Sequence, residues 1–193
     1  MKYNAFKEKI NAKLFTRQDI RLLGLKIFAY QLSLWQKQGY ITKLKNGLYI
    51  FTESLIGTNP EEIAQLLYEP SYISLEKALS IYGLIPEMVY AITSITAKAT
   101  RRFKNKLGVF TYRNIKPNLF FGYTRKPTGL MIADPEKALL DLIYLNKIKT
   151  EAALAELRLN WSTIKKLFNK KKFKKFAAAY RNLKIARKIE EKL

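Results

Sequence analysis

The chain has 193 residues, with 36 Lys and Arg against 15 Asp and Glu, which gives a formal net charge of +21. It contains no His and no Cys, and this excludes Ser-His-Asp and Cys-His nucleophiles, disulfide bonds, and metal sites built on imidazole or thiolate. Because 48% of the residues are hydrophobic and 13% are aromatic, the chain is predicted to bury a core rather than to be disordered.

The same composition favours binding over catalysis. Carboxylate-dependent chemistry with bound Mg²⁺ remains an alternative, but no glycine-rich phosphate loop is present, and we predict no catalytic residues, no metal site and no cofactor. The polar N-terminal segment MKYNAFKEKINAK lacks the apolar core of a signal peptide, and no apolar run approaches the roughly 20 residues needed to cross a bilayer. We therefore expect a cytoplasmic protein with no membrane partner.

Both ends of the chain carry most of the excess positive charge. Residues 1–55 contain 10 basic and 3 acidic residues, residues 56–148 contain 12 and 8, and residues 149–193 contain 14 and 4. The nearly balanced middle region separates two strongly basic ones. The charge distribution therefore predicts polyanion-binding surfaces in the two end regions, with nucleic acid as the anionic partner.

Residues 1–55 show the pattern of three helices followed by a hairpin. The apolar stripe through Phe6 and Ile10 predicts a helix over residues 2–14, and Thr16 followed by Asp19 is close to a capping box that begins a second helix. A third helix is predicted over residues 25–39, with its core face formed by Leu25, Phe28, Leu32 and Trp35. Two short strands are predicted over residues 41–51, around the turn sequence Asn46-Gly47.

This order is typical of a winged helix-turn-helix domain, in which the third helix enters the major groove of DNA and the hairpin contacts the backbone. The candidate DNA-binding residues carry hydrogen-bond donors on the outer face of the third helix or in the hairpin: Lys26, Tyr30, Gln31, Ser33, Lys37, Lys43 and Lys45. The alternatives are a solvated helix face, a protein-interaction module, and, for Lys43 and Lys45, lysines that protect an edge strand from aggregation.

Residues 56–193 predict an α+β domain. Helices are expected from Pro60, over residues 74–82 and after Asp134-Pro135, with Asp134 as the capping residue, and strands are expected over residues 89–96, 109–115, 119–123 and 130–133. The region from about residue 149 to residue 193 is expected to be helical and basic. Two domains are therefore predicted, 1–55 and 56–193.

One segment of this C-terminal region is exceptionally rich in lysine. It has the sequence KKLFNKKKFKK, and its lysines are Lys165, Lys166, Lys170, Lys171, Lys172, Lys174 and Lys175. Seven like charges in eleven residues repel one another, and bound phosphates would relieve that repulsion. We favour a second nucleic-acid-binding patch, for DNA or RNA, over the alternative of a solvated helix face.

Three segments resemble the AbiEi-type antitoxin family of type IV toxin-antitoxin systems. They are GYITKLKNGLYIF at 39–51, PSYISLEKALSIYGLIPE at 70–87 and ADPEKALLDLIYL at 133–145, and TSIT and GVFTYRNI between them are also similar. The similarity covers most of residues 15–145. The lysine-rich segment at 165–175 does not match the family pattern.

The resemblance implies an antitoxin that also binds inverted repeats in the promoter of its own operon and represses transcription. Its functional partner would be a nucleotidyltransferase-like toxin, which such an antitoxin neutralises with or without direct contact. A role in abortive infection, a form of phage defence, would follow. The alternatives are an RNA-binding module that uses the basic C-terminal helices, a winged-helix repressor without a toxin partner, and a carboxylate-dependent nuclease or transferase.

The acidic residues of the ADPEKALLD segment are not predicted to be catalytic. Glu136 is explained as a first-turn partner of the helix dipole. Lys137 and Asp141 lie four residues apart, a spacing that allows an ion pair along one face of a helix.

Overall fold

A computed structural model describes residues 1–180 and 183–193. The chain divides into two compact units: unit 1 consists of Met1–Pro60 together with Phe103–Gly108, and unit 2 consists of Glu61–Arg102 and Val109–Leu193. The described residues form ten α-helices and two β-sheets. This confirms the predicted α+β class.

Unit 1 alternates short helices with a small antiparallel sheet. Its elements are α1 (Tyr3–Ile10), β1 (Leu14–Thr16), α2 (Arg17–Leu22), α3 (Ala29–Lys37), β2 (Ile41–Lys45) and β3 (Leu48–Phe51). The strand order is β1-β3-β2, so that β3 pairs with both of the other strands. The predicted hairpin is confirmed, because β2 and β3 are joined through Asn46-Gly47 and Gly47 adopts the positive φ of 78° that the tight turn favours.

The predicted first helix is too long at its C-terminal end. Asn11 adopts a left-handed conformation, with φ 39° and ψ 33°, and ends α1. Leu14 consequently begins a strand and pairs with Ile50. The predicted capping box is confirmed: the Asp19 backbone N–H donates to Thr16 Oγ1 at 3.1 Å, and the Thr16 N–H donates to Asp19 Oδ2 at 2.6 Å.

Aromatic side chains form the core of unit 1. Phe6 of α1 lies between Phe15 and Trp35, with ring centroids 5.2 Å and 4.8 Å away, and Phe51 lies 5.1 Å from Phe15. All four rings are buried. Because Trp35 belongs to α3 and Phe15 and Phe51 to the sheet, these contacts fix α3 against the strands.

Unit 2 is built on a mixed sheet that is joined to helices. Its elements are α4 (Pro60–Leu67), β4 (Ser71–Ile73), α5 (Leu75–Ile81), β5 (Ile92–Thr96), β7 (Gly108–Asn114), β8 (Tyr123–Arg125), β9 (Met131–Ala133), α6 (Pro135–Leu145), α7 (Glu151–Ala155), α8 (Trp161–Leu167), α9 (Lys170–Ala179) and α10 (Lys184–Lys192). A further strand of the same sheet, β6 (Arg101–Asn105), begins in unit 2 and ends in the segment Phe103–Gly108 of unit 1. The strand order is β6-β7-β5-β4-β9-β8. The β5–β7 and β4–β9 pairs are parallel, and the β4–β5 and β8–β9 pairs are antiparallel.

Most of the predicted elements of this region are confirmed, with shifted ends. The strand expected over residues 119–123 is wrong, because Pro117–Leu119 forms a 3₁₀ turn and the strand begins only at Tyr123. Besides β8, three strands were not predicted: β1 and β4 have three residues each, and β6 has the charged sequence RRFKN, so none of the three shows a clear apolar alternation.

Helix α6 is the central helix of unit 2. Its residues from Glu136 to Ile143 are all buried, including positions that an amphipathic surface helix would leave exposed. Helices α5 and α9 both pack against it. A charged side chain on α6 therefore needs a partner inside the protein.

Candidate nucleic-acid interface

Helix α3 begins four residues later than the sequence predicted. Gly24, with φ 65°, ends the turn after α2, and residues 25–28 are not helical. The chain becomes helical only after Phe28, whose backbone N–H donates to Gln31 Oε1 at 3.0 Å. Lys26 therefore lies in the connecting loop, not on the helix where it was predicted.

This late start also corrects the predicted core face of α3. Leu32 and Trp35 are buried, as expected, but Leu25 is half-buried and Phe28 is 62% exposed. The reason is geometric, because without a helical turn at 25–28 the side chain of Phe28 does not lie one turn above Leu32 on the same face.

The structure brings three of the candidate residues together on the outer face of α3. Tyr30, Ser33 and Lys37 are exposed and lie three and seven residues apart along the helix, which places them on one face. Gln31 is set apart from them. It is half-buried, it accepts the Phe28 N–H, and its Nε2 donates to the Met1 carbonyl at 3.1 Å. Its amide therefore has a structural role at the start of the helix.

The two hairpin lysines differ in exposure. Lys43 lies opposite Tyr49 within the β2–β3 pair, and its side chain is exposed. Lys45 ends β2 after a shift in register and is half-buried. Lys43 is therefore the better placed of the two to contact a phosphate.

Two arginines that were not predicted extend this basic surface. Arg17 and Arg21 lie one turn apart on α2 and are exposed, and both line a groove of about 310 Å³ with Ile27 and Ala29 at the start of α3. Guanidinium groups can bind phosphate through two parallel hydrogen bonds. Their i, i+4 spacing within a capped helix is the sequence signal that could have identified them.

A second group of charged residues lies inside unit 2, around Lys137 and Asp141 of α6. Both side chains are fully buried and form the ion pair that their spacing predicted. Lys137 Nζ also donates to the hydroxyl oxygens of Tyr72 at 3.0 Å and Tyr180 at 2.6 Å. The three donors of the ammonium group are therefore all used.

The carboxylate of Asp141 is equally well satisfied. It accepts hydrogen bonds from Ser74 Oγ at 2.8 Å, from Tyr72 OH at 3.1 Å and from Tyr180 OH at 2.6 Å, in addition to the Lys137 ammonium. Desolvation raises the pKa of Asp141 and lowers the pKa of Lys137, while the ion pair between them opposes both shifts. Burial and the nearby carboxylate also raise the pKa of both phenols.

This buried network links four parts of unit 2. Tyr72 belongs to β4, Ser74 precedes α5, Lys137 and Asp141 belong to α6, and Tyr180 follows α9. Because the ammonium and the carboxylate are both 0% exposed, neither group meets solvent or a substrate in this conformation. The geometry supports a role in holding the helices together, where removal of either charge would leave the other buried and unpaired.

The acids at the start of α6 contact the lysine-rich segment. Lys172 Nζ lies 3.0 Å from Asp134 Oδ2 and 3.8 Å from Glu136 Oε2, and the Asn169 N–H donates to Glu136 Oε1 at 2.8 Å. Asp134 occupies the residue before α6, but its side chain does not cap the helix, contrary to the prediction. The carboxylate instead accepts a hydrogen bond from Thr124 Oγ1 at 2.9 Å and pairs with Lys172. Glu136 lies in the first turn of α6, as predicted, and its side chain is buried.

The remaining lysines of the segment lie on the outside of two helices. Lys165 and Lys166 are exposed at the end of α8. On α9 the exposed lysines occupy positions i, i+1, i+4 and i+5, which place them on one face. We call this the α9 lysine face, and it consists of Lys170, Lys171, Lys174 and Lys175. Lys174 lies 3.7 Å from Glu190, and Lys172 lies outside this face.

The inner side of α9 explains why the lysine face is held outward. Phe173 is fully buried, and Phe176 contacts Phe121 with ring centroids 5.3 Å apart. Gly122 allows this close approach, since a Cβ at that position would lie 3.1 Å from both Phe176 and Lys137. The packing of one face of α9 therefore fixes the direction of the other.

The described residues contain neither a membrane-spanning helix nor an acidic metal site. Across residues 1–180 and 183–193, no helix combines the length and apolar character needed to cross a membrane. Within the same ranges, no group of three or more acidic side chains is arranged to hold a metal ion. Comparison of the sequence with protein-family models and with curated proteins finds no match in either case.

Proposed function

We propose that unit 1 is a winged helix-turn-helix domain that binds double-stranded DNA and that the protein represses the operon encoding it. The observation that carries this proposal is the order α1-β1-α2-α3-β2-β3 with the antiparallel strand order β1-β3-β2. That order places a hairpin after the third helix, as in winged helices that dock α3 in the major groove.

The exposed side chains of unit 1 support this docking. Tyr30 and Ser33 present hydroxyl groups that can donate or accept at base edges, and Lys37 adds a positive charge on the same face. Lys43 on the hairpin and Arg17 and Arg21 on α2 are available for phosphates. Base contacts and backbone contacts are thus supplied by different elements.

We further propose that the protein is an antitoxin, on the basis of its resemblance to the AbiEi-type family. The partner would be a nucleotidyltransferase-like toxin. Two of the three resembling segments, residues 70–87 and 133–145, meet in the buried network, where Tyr72 and Ser74 of one contact Asp141 of the other. The resemblance therefore rests on residues that build the core of unit 2.

DNA binding is tested by measuring the affinity of the full chain for the DNA upstream of its own gene. We expect this complex to survive an excess of unrelated duplex, because specific complexes are typically 10³ to 10⁷ times tighter than non-specific ones. Equal affinity for both DNAs would contradict the repressor proposal. A promoter fusion with and without the protein measures repression directly.

The antitoxin proposal needs a separate test in cells. A nucleotidyltransferase-like gene adjacent to this one would be expressed alone and together with this protein, and growth would be followed. Toxicity of the single gene that disappears on co-expression supports the proposal. Unchanged toxicity, with the antitoxin candidate expressed and folded, would leave a winged-helix repressor without an antitoxin role.

The α9 lysine face supports a second candidate function, the binding of RNA. Four lysines on one face, of which only Lys174 has an acid within 4 Å among the described residues, form a surface that a phosphate backbone can neutralise. No aromatic ring of α9 is fully exposed beside them, since Phe173 is buried and Phe176 is half-buried. The surface therefore fits a duplex backbone better than stacked single-stranded bases.

Replacing Lys170, Lys171, Lys174 and Lys175 by Gln tests this surface. The logarithm of affinity should fall less steeply with the logarithm of salt, by up to about 0.9 for each lost duplex phosphate contact. The matched control changes four exposed lysines elsewhere in unit 2 to Gln: Lys116, Lys126, Lys147 and Lys149. A loss of affinity that is confined to RNA duplexes supports RNA binding. Equal salt slopes for the two variants would indicate that the α9 lysine face is only a solvated surface.

A further inference from the structure

Two exposed aromatic rings lie at the start of α3. Phe28 is 62% exposed and Tyr30 is 67% exposed, and their rings stack with centroids 6.0 Å apart and an interplanar angle of 12°. Leu34, one turn after Tyr30 on the same face, is 46% exposed. Apolar side chains that are exposed next to one another often mark a surface that contacts a partner. We call the two stacked rings of Phe28 and Tyr30 the aromatic patch.

The position of Phe28 is fixed by the start of the helix. Its backbone N–H donates to Gln31 Oε1 at 3.0 Å, and its carbonyl accepts the N–H groups of Gln31 at 3.1 Å and Leu32 at 3.4 Å. The backbone that carries the ring is therefore ordered before any partner binds. A pre-ordered contact loses less conformational entropy on binding than a mobile one.

The charges around the aromatic patch favour an anionic partner. Lys26 precedes Phe28 by two residues, Lys37 follows on the outer face of α3, and Arg17 and Arg21 line the groove beside Ala29. The sequence contains no acidic residue from 20 to 52. A second copy of this patch would bring the same positive charges against it, so charge complementarity disfavours a self-interface and favours a polyanion with apolar features.

The major groove of DNA has this combination. It is bordered by phosphates, and each thymine presents a C5-methyl group that apolar side chains, including Phe, can contact. The N-terminal residues of the recognition helix are the ones that approach base edges in helix-turn-helix complexes. Phe28 and Tyr30 occupy that end of α3.

We propose that Phe28 and Tyr30 contact thymine methyl groups in the major groove and make DNA recognition by this protein dependent on thymine at one or two positions of each binding site. This inference rests on the proposed function of unit 1 as a DNA-binding domain. It assigns Phe28 a role in specificity, although the sequence pattern had placed Phe28 in the core.

The test removes the methyl group from the DNA and the ring from the protein in turn. Selection from a random duplex pool with the full chain gives a bound sequence, which is then synthesised with deoxyuridine in place of thymidine at one position at a time. For the unsubstituted protein we expect about a fourfold rise in Kd at each contacted thymine, the effect of losing one buried methyl group.

The protein variant Phe28→Ala should bind the thymine-containing duplex more weakly and show no further loss with deoxyuridine at the thymine that Phe28 contacts, whereas an effect at a thymine contacted by Tyr30 alone should remain. Tyr90→Ala is the matched control, because Tyr90 is an aromatic residue of unit 2 with 83% exposure, and this variant should retain the full deoxyuridine effect. Circular dichroism and thermal unfolding check that both variants are folded, which is expected since both rings are exposed.

Three outcomes would overturn the inference, and they differ in what they say about unit 1. If no sequence is enriched by selection, the DNA-binding function and the inference both fail. If selective binding is found but deoxyuridine has no effect at any position, or has the same effect with Phe28→Ala at every position, the Phe28 methyl contact is wrong and the DNA-binding function stands. If Phe28→Ala converts a dimer into a monomer in sedimentation, the patch joins two copies of the chain.

Discussion

Aromatic rings fill the interior of unit 1, whereas the interior of unit 2 contains an ion pair and the phenols that surround it. Unit 1 packs Phe6, Phe15, Trp35 and Phe51 together, and none of the charged side chains described in it is buried. Unit 2 buries Glu136, Lys137 and Asp141. The described charged side chains of unit 1 thus stay out of its core, whereas unit 2 includes charged side chains in its core.

The difference shows which charges are available to a partner. In unit 1 the core is held by apolar contacts, and most of its lysines and arginines remain at the surface. In unit 2 some lysines form ion pairs within the fold: Lys137 pairs with Asp141 inside α6, and Lys172 pairs with Asp134. The lysines of the α9 lysine face are exposed. Net charge alone does not distinguish the lysines that pair within the fold from those that are exposed to a partner.

Alkaline pH should affect unit 2 most strongly. Burial raises the pKa of Tyr72, Tyr112 and Tyr180, and raises the pKa of Tyr82 to about 12, from an ordinary value near 10 in the unfolded chain. The unfolded chain therefore loses these protons first, so the stability present below pH 10 is lost as the pH rises from 10 through 12.

Absorbance of tyrosinate measures the ionisation directly, and circular dichroism follows unfolding at the same pH values. Of the 12 tyrosines, Tyr72, Tyr112 and Tyr180 should ionise only when unit 2 unfolds. Ionisation of all 12 in the folded protein near pH 10 would contradict the burial of these three phenols.

Lys137→Met should lower the free energy of unfolding by about 3–5 kcal/mol, because it leaves the Asp141 carboxylate buried without its cation. Denaturant unfolding measures the change. Lys126→Met is the control at an exposed lysine of unit 2 and should stay within about 0.5 kcal/mol. The double variant Lys137→Met/Asp141→Leu should be more stable than Lys137→Met alone, since it removes both charges; a further loss would mean that the pair is not the main interaction.

Gly122→Ala should cost about 2–3 kcal/mol. The residue has φ 70°, and an added Cβ would lie 3.1 Å from Lys137 Cγ and from Phe176, so backbone strain is combined with crowding between α6 and α9. Gly129→Ala is the matched control, because Gly129 has φ 87° but nothing within 4 Å of the added Cβ. Thermal unfolding of the two variants separates the strain from the crowding, and equal losses would argue against tight packing at Gly122.

Gln31→Ala and Tyr30→Ala should have different effects, although the sequence grouped them as DNA-binding residues. Removing the Gln31 amide deletes the hydrogen bond to the Phe28 N–H and should cost about 1 kcal/mol of stability. Tyr30→Ala should leave stability nearly unchanged and reduce discrimination between cognate and random duplex. Denaturant unfolding and competition binding measure the two effects, and a similar profile for both variants would refute the separation.

Local signals in the sequence were sufficient for several elements of the fold. The Thr16–Asp19 capping box, the Asn46-Gly47 turn and the helix that begins at Pro135 depend on residues within a few positions of one another, so their physical causes are visible in the linear order. The excess of positive charge, and with it the expectation of an anionic partner, likewise follows from composition.

Burial of individual side chains was decided only by the tertiary structure. The sequence placed Phe28 in the core and Lys172 on the binding surface, but the late start of α3 exposes the ring and the packing of α9 on α6 brings the lysine to Asp134. Lys137 and Asp141 were recognisable as a pair, yet their complete burial depends on Tyr72 and Tyr180, which lie 65 and 43 residues from Lys137 in the sequence. Periodicity reports which residues share a face of a helix, and only long-range packing determines what that face meets.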